Sequence, residues 1–180
     1  ALYISVVVLG GCVPFLIVGF GVFVTAARLC VTSRLLNAGQ SCIGAKRFII
    51  IDRAYDRFKA EFVRLMSEAI FGDPFDAQTN IGPLARTDLR NELHQQVEES
   101  RQLGATVLLG GYVPDSESAF YPPTVLENVV PEMPAYHEEL FGPVAVLFRV
   151  NSEEEGIRIA NILNKKTEFL QTNLPKNIHY

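Results

Sequence analysis

Between Phe48 and Ala69 the hydrophobic pattern changes its period within a few residues. Phe48-Ile-Ile-Ile51 is a compact apolar run of strand type. From Asp52 onward, Tyr55, Phe58, Phe62, Leu65, Met66 and Ala69 recur at three- and four-residue steps, leaving Arg57, Lys59, Glu61 and Glu68 for solvent. Asp52 is placed to cap that helix. A strand passing directly into an amphipathic helix is the unit of an α/β fold with a largely parallel sheet flanked by helices, and the rest of the chain alternates in the same way.

Upstream, Ser5–Leu9 reads as a strand ended by Gly10-Gly11 and Pro14–Val18 as a second, short one. Thr25–Leu36 reads as a helix closed by Asn37 and Gly39. Residues 72–86 are a loop by their Gly, Pro, Asp and Asn content, and Leu89, Leu93 and Val97 stack on one side of a helix that Gly104 ends. The strand Thr106–Leu109 stops at Gly110-Gly111, and a passage through Pro122, Pro123, Pro131 and Pro134 leads to a buried strand at Val144–Val150. Ser152 and Glu155 have capping-box spacing for a last helix through Ile157 and Ala160, and periodicity is lost from Asn164. Residues 1–165 are expected to be one domain and 166–180 a poorly specified tail. A chain of 180 residues can bury roughly two thirds of its unfolded surface.

The 16 basic and 20 acidic residues form no basic stripe interleaved with aromatics, so nucleic acid is not an expected partner. Cys12, Cys30 and Cys42 are odd in number and widely spaced, suggesting neither a disulfide framework nor a metal site but a reducing, cytoplasmic setting. Cys12 and Cys30, among Val, Leu and Phe, read as small buried hydrophobes. The chain carries no charge before Arg28, which a hydropathy window flags as a membrane span. Gly10, Gly11 and Pro14 interrupt that run and VVV and FLIV are strand-like blocks, so the expectation is a soluble core, with a membrane-anchored protein as the rival.

Cys42 is different. It follows an Asn-Ala-Gly-Gln turn and precedes Gly44 and Ala45, so little side-chain bulk shields its sulfur. Backbone N–H groups with Lys46 or Arg47 can favour a thiolate there. Spacing alone leaves two readings open, a nucleophile and an inert cysteine in a tight turn.

Asn37-Ala-Gly-Gln-Ser-Cys42 followed by Ala45-Lys-Arg-Phe48 resembles the catalytic-cysteine signature of aldehyde dehydrogenases. Glu138-Glu-Leu-Phe-Gly-Pro-Val144 resembles the same family's second landmark, and Leu9-Gly10-Gly11, Asn80-Ile-Gly-Pro-Leu-Ala85 and Leu108-Leu-Gly-Gly111 match further stretches. Leu36-Asn-Ala-Gly-Gln, Lys46-Arg-Phe and Pro134-Ala-Tyr-His-Glu-Glu139 are most similar to the succinate-semialdehyde dehydrogenase branch. The resemblance implies an aldehyde-dehydrogenase-like catalytic domain, a small aldehyde substrate, NAD or NADP as cofactor and a homo-oligomeric parent. It implies that the Cys42 thiolate attacks the aldehyde, that the thiohemiacetal passes hydride to the nicotinamide, and that water hydrolyses the resulting thioester. Gly10, Glu139 and Phe141 become cofactor-side residues, with Glu139 on the nicotinamide ribose hydroxyls and Phe141 beside the ring. The competing readings are a helix-end charge for Glu139 and a core aromatic for Phe141.

The departures carry expectations too. The family's general-base glutamate before Leu-Gly-Gly is Val8 here, and valine cannot accept a proton. Phe169-Leu-Gln-Thr172 stands where a Phe-Gly-Leu-Gly turn is expected. The family's dinucleotide-binding domain and terminal subunit-joining strand are not recognisable, so the expectation is a partial catalytic domain of low intrinsic activity. A non-catalytic structural or interaction module is the alternative.

Overall fold

The computed structural model describes the backbone of residues 15–18 and 23–172 and the side chains of residues 24–163. The strand expected at Ser5–Leu9 and the positions Val8, Gly10 and Cys12 lie outside the described residues.

Strands β1 (Phe15–Val18), β2 (Arg47–Ile51), β3 (Thr106–Leu109), β4 (Thr124–Glu127) and β5 (Val144–Val150) form one sheet in the order β1-β2-β5-β4-β3. β1 with β2, β2 with β5 and β5 with β4 are parallel; β3 runs antiparallel to β4 at the edge. The helices are α1 (Phe23–Leu35), α2 (Asp52–Ser67), α3 (Thr87–Gln102), the single turn α4 (Pro134–His137) and α5 (Glu153–Thr172). The architecture is the α/β class expected, with helices on both faces.

Two-sided burial explains the unbroken apolar runs of β2 and β5, because successive residues of a strand point to opposite faces and both must be dry. Phe48, Ile50, Ala145 and Leu147 pack with Ala26, Ala27 and Cys30 of α1 and with Phe58, Phe62 and Met66 of α2. Ile49, Val144, Val146 and Phe148 pack with Leu93 and Val97 of α3 and Ala160 and Leu163 of α5. Phe62 is the centre of the first layer, with ring centroids 5.0 Å from Phe48 and 5.5 Å from Phe58. Each such ring, fully removed from water, stabilises by roughly 1.5–3 kcal/mol.

Several expectations need correction. The first helix ends at Leu35 and is followed by a 3-10 turn, Leu36–Gly39, because Asn37 and Ala38 take left-handed conformations at φ 52° and 55°. Asp52 does not cap α2 but is its first residue, and its carboxylate faces Arg149 Nε at 3.3 Å. The proline-rich passage contains β4 and α4, which the sequence reading left unassigned; Pro122 and Pro123 precede β4 without interrupting it, and Pro134 occupies the first position of α4, where its missing N–H costs nothing. The Ser152–Glu155 cap is present, with Ser152 Oγ accepting from Glu155 N at 3.2 Å and Glu155 Oε2 accepting from Asn151 N at 2.8 Å. The backbone of α5 continues to Thr172, past the expected loss of pattern.

The uncharged leading run contributes β1 and the start of α1 to this sheet domain. Among the described residues no helix is long and apolar enough to cross a membrane.

Candidate active site around Cys42

Three consecutive left-handed residues, Asn37, Ala38 and Gly39 (φ +76°), reverse the chain after α1. Asn tolerates this conformation and Gly adopts it freely, whereas Ala38 is strained by order 1–3 kcal/mol, so neighbouring contacts must hold the turn. Asn37 Nδ2 donates to Gln40 O at 3.1 Å and Gln40 N donates back to Asn37 O at 3.0 Å. From inside the protein, Arg34 Nη2 donates to Gly39 O at 2.5 Å. Gln40 Oε1 accepts from Ala85 N at 2.8 Å, fastening the turn to the Asn80–Ala85 stretch.

The next turn carries the thiol. Gly44 N donates to Ser41 O at 3.2 Å, and Ala45 N donates to Ser33 Oγ at 3.2 Å, which returns the chain to β2. Cys42 stands exposed at the corner. Cys30 is buried, as expected, and burial pushes its thiol up to about 12.

The sequence reading placed Lys46 and Arg47 beside the thiol as cations. Both are instead buried beneath the loop. Lys46 Nζ donates to the carbonyls of Ser41 (2.9 Å), Cys42 (3.3 Å) and Gly44 (3.3 Å) and pairs with Glu139 Oε1 at 3.1 Å. Arg47 Nη2 donates to Ala135 O at 3.2 Å and Glu138 O at 2.5 Å. Loss of hydration pushes the Lys46 ammonium below its ordinary range, Arg34 adds to the effect, and Glu139 opposes it. Desolvation likewise brings Arg34 and Arg47 down to about 10, again against Glu139. Lys46 thus pairs directly with one carboxylate, whose charge also acts on the buried Arg34 and Arg47.

That carboxylate belongs to the second landmark, which lies against the first. Gln96 Nε2, on α3, donates to Glu138 Oε2 at 2.9 Å and to Glu139 O at 3.3 Å. Gly142 is wedged between Gly39 and Leu93; a Cβ on it would overlap Leu93 Cδ2. Glu139 keeps 43% of its side chain exposed, and Phe141 is 42% exposed. Phe141 is thus not a core aromatic. Glu139 follows the end of α4 but spends its charge on Lys46 rather than on the helix.

The structure therefore brings Cys42 and Glu139 onto one framework, with Phe141 two residues beyond Glu139. A half-exposed carboxylate suits a ribose diol and an exposed ring suits a flat heterocycle, so these residues fit the nicotinamide half of a dinucleotide. Gly10 lies outside the described residues. Among the described residues no group of three or more His, Cys, Asp or Glu is arranged to hold a metal. The sequence reading missed Arg34 and Gln40 as supports of the Cys42 loop and Gln96 as a support of Glu138 and Glu139. The one available signal was a lone arginine in the otherwise uncharged stretch Val31–Ala38.

The chain is similar to known proteins over most of its length. The profile of the aldehyde dehydrogenase family matches residues 4–165. The chain is 44% identical over 153 residues to a succinate-semialdehyde dehydrogenase [NADP(+)] of Deinococcus radiodurans, covering 85% of this chain and 32% of that protein. It is 45% identical over 157 residues to an aldehyde dehydrogenase of Paenarthrobacter nicotinovorans, covering 87% and 34%. A crystal structure of succinic semialdehyde dehydrogenase from Streptococcus pyogenes with NADP+ superposes with a TM-score of 0.79 at 36% identity, over 86% of this chain and 34% of that one. The chain spans about a third of the length of the curated relatives it matches. By sequence and by fold, the chain belongs to the aldehyde dehydrogenase family.

Proposed function

We propose that this chain carries the thiol chemistry of an NAD(P)-dependent aldehyde oxidation, with Cys42 as the nucleophile and succinic semialdehyde as the candidate substrate. The observation that carries the reading is the exposed Cys42 thiol on a loop whose carbonyls share one buried ammonium with Glu139. The Cys42 thiolate attacks the aldehyde carbon; the C–S bond forms and the carbonyl π pair moves to oxygen. The Cys42 N–H, at the exposed corner, is a donor for that oxyanion. A bound nicotinamide supplies the acceptor for the hydride that leaves the same carbon, and Glu139, Phe141 and Gly10 are the residues proposed to hold it. Water then cleaves the thioester, returning the thiol and releasing the acid. The relatives named above for NADP+ support NADP, with NAD as the alternative. Residues 1–165 are proposed as catalytic-domain sequence of a homo-oligomeric, cytoplasmic enzyme.

Val8 favours a slow or non-catalytic version of this chemistry. It stands where the family places the general base, whose loss typically removes about 10²–10⁴-fold in rate. The test follows p-nitrophenyl acetate cleavage and NAD(P)H formation with succinic semialdehyde on the same preparation. Expected are a stoichiometric p-nitrophenol burst that C42A abolishes, slow release of the acyl group, and faster release in V8E. A burst unchanged in C42A, or no burst at all, overturns the assignment in favour of a structural or interaction module.

A further inference from the structure

We propose that Lys46 is a positioning residue that locks the Cys42 loop to Glu139, so that the state of the Glu139 carboxylate sets the mobility of that loop and the reactivity of its thiol. The inference rests on the roles proposed above for Cys42 and Glu139.

Its basis is the geometry at Nζ. An ammonium has three N–H bonds, and here four oxygens lie within 3.3 Å of it: the Ser41, Cys42 and Gly44 carbonyls and Glu139 Oε1. The three carbonyls lie five, four and two residues before Lys46, so a single ammonium gathers the whole turn. Converging oxygens suit a compact ammonium and not the planar fork of arginine. Lys46 is fully buried, so in this fold its charge is balanced by Glu139 and not by solvent. Glu139 is half-exposed and open to a ligand bearing hydroxyl groups. It pairs with Lys46, and its charge also acts on Arg34 and Arg47. A ligand that draws the carboxylate away leaves a buried ammonium held by carbonyls alone, with Arg34 repelling it. Relief comes through the loop, because the carbonyls move with Cys42.

The test is a double-mutant cycle on the chain itself, which separates a transmitted effect from general destabilisation. Cys42 alkylation by iodoacetamide and amide exchange across Ser41–Ala45 are measured in wild type, E139A, K46M and K46M/E139A. With Lys46 present, E139A is expected to raise both rates by about threefold or more; with Met at position 46 the same change shifts them by less than about 1.5-fold. Equal effects of E139A in the two backgrounds overturn the inference. If K46M does not fold, E139A decides alone, since Glu139 is half-exposed: unchanged exchange across Ser41–Ala45 overturns the link, and increased exchange supports it. A Cys42 that alkylates no faster than Cys30 in wild type counts against the nucleophile and leaves the exchange measurement to judge the link by itself.

Discussion

Gly39 and Gly142 meet backbone to backbone: a Cβ on Gly39 would overlap the Gly142 carbonyl and come within 2.8 Å of Arg34 Nη2. This contact joins the two family landmarks, and it requires a residue with no side chain at φ +76°. G39A is therefore expected to cost at least about 2 kcal/mol, combining backbone strain with overpacking. Gly82 is the control, since a Cβ there would lie 3.8 Å from Pro74 Cβ, an ordinary contact. G82A should fall within about 0.5 kcal/mol of wild type in urea unfolding. Equal midpoints for the two variants would refute the close approach.

Phe62 and Phe75 make opposite predictions from the same residue type. Phe62 is fully buried between Phe48 and Phe58, and F62A should lose about 3–5 kcal/mol by transfer and cavity formation. Phe75 is 97% exposed in the loop before α3, so F75A should change stability by less than about 0.5 kcal/mol. A large loss in F75A would show that the loop packs on something it does not touch here.

The two described cysteines should separate by accessibility. In the folded chain near neutral pH, iodoacetamide is expected to modify Cys42, while Cys30 reacts only after denaturant unfolds α1 from the sheet. Peptide mass mapping before and after unfolding reads this directly, and native modification of Cys30 would contradict its burial.

Cys30 also predicts an alkaline limb of stability. Its thiol ordinarily titrates near 9 and is pushed up to about 12 in the fold, so between these values the unfolded chain binds fewer protons than the native one. Its contribution is thus complete below pH 9 and is lost as the pH rises toward 12. The slope attributable to this one group is at most about 1.4 kcal/mol per pH unit. Comparing wild type with C30A between pH 9 and 10 isolates it, since Lys46, Arg34 and Arg47 are common to both. Parallel stability curves for the two proteins would show that Cys30 is hydrated.

The sequence by itself determined the elements whose hydrophobic period is long and unambiguous. The Phe48–Ile51 strand, the Tyr55–Met66 stripe, the Leu93 and Val97 face and the Val144–Val150 strand all stand where their patterns put them, because burial on one or both faces dictates residue type at each step. At the site, local chemistry made Cys42 legible only as a reachable thiol in a turn without bulk; its catalytic reading, and the choice of Glu139 and Phe141, came from the resemblance to the family. β4 and α4 were hidden by prolines whose local signal is interruption. Only hydrogen bonding to β5 and packing of Ala135 and Tyr136 in the core make them regular. The direction of Lys46 and Arg47 was likewise beyond the sequence. A cation beside a cysteine in the chain is free to face the thiol until the fold buries it, and once it is dry it must take the nearest oxygens. Those oxygens, from Ser41 to Gly44 on one side and Ala135 to Glu139 on the other, are neighbours only because β2 and β5 pair in parallel and bring both segments to the same end of the sheet.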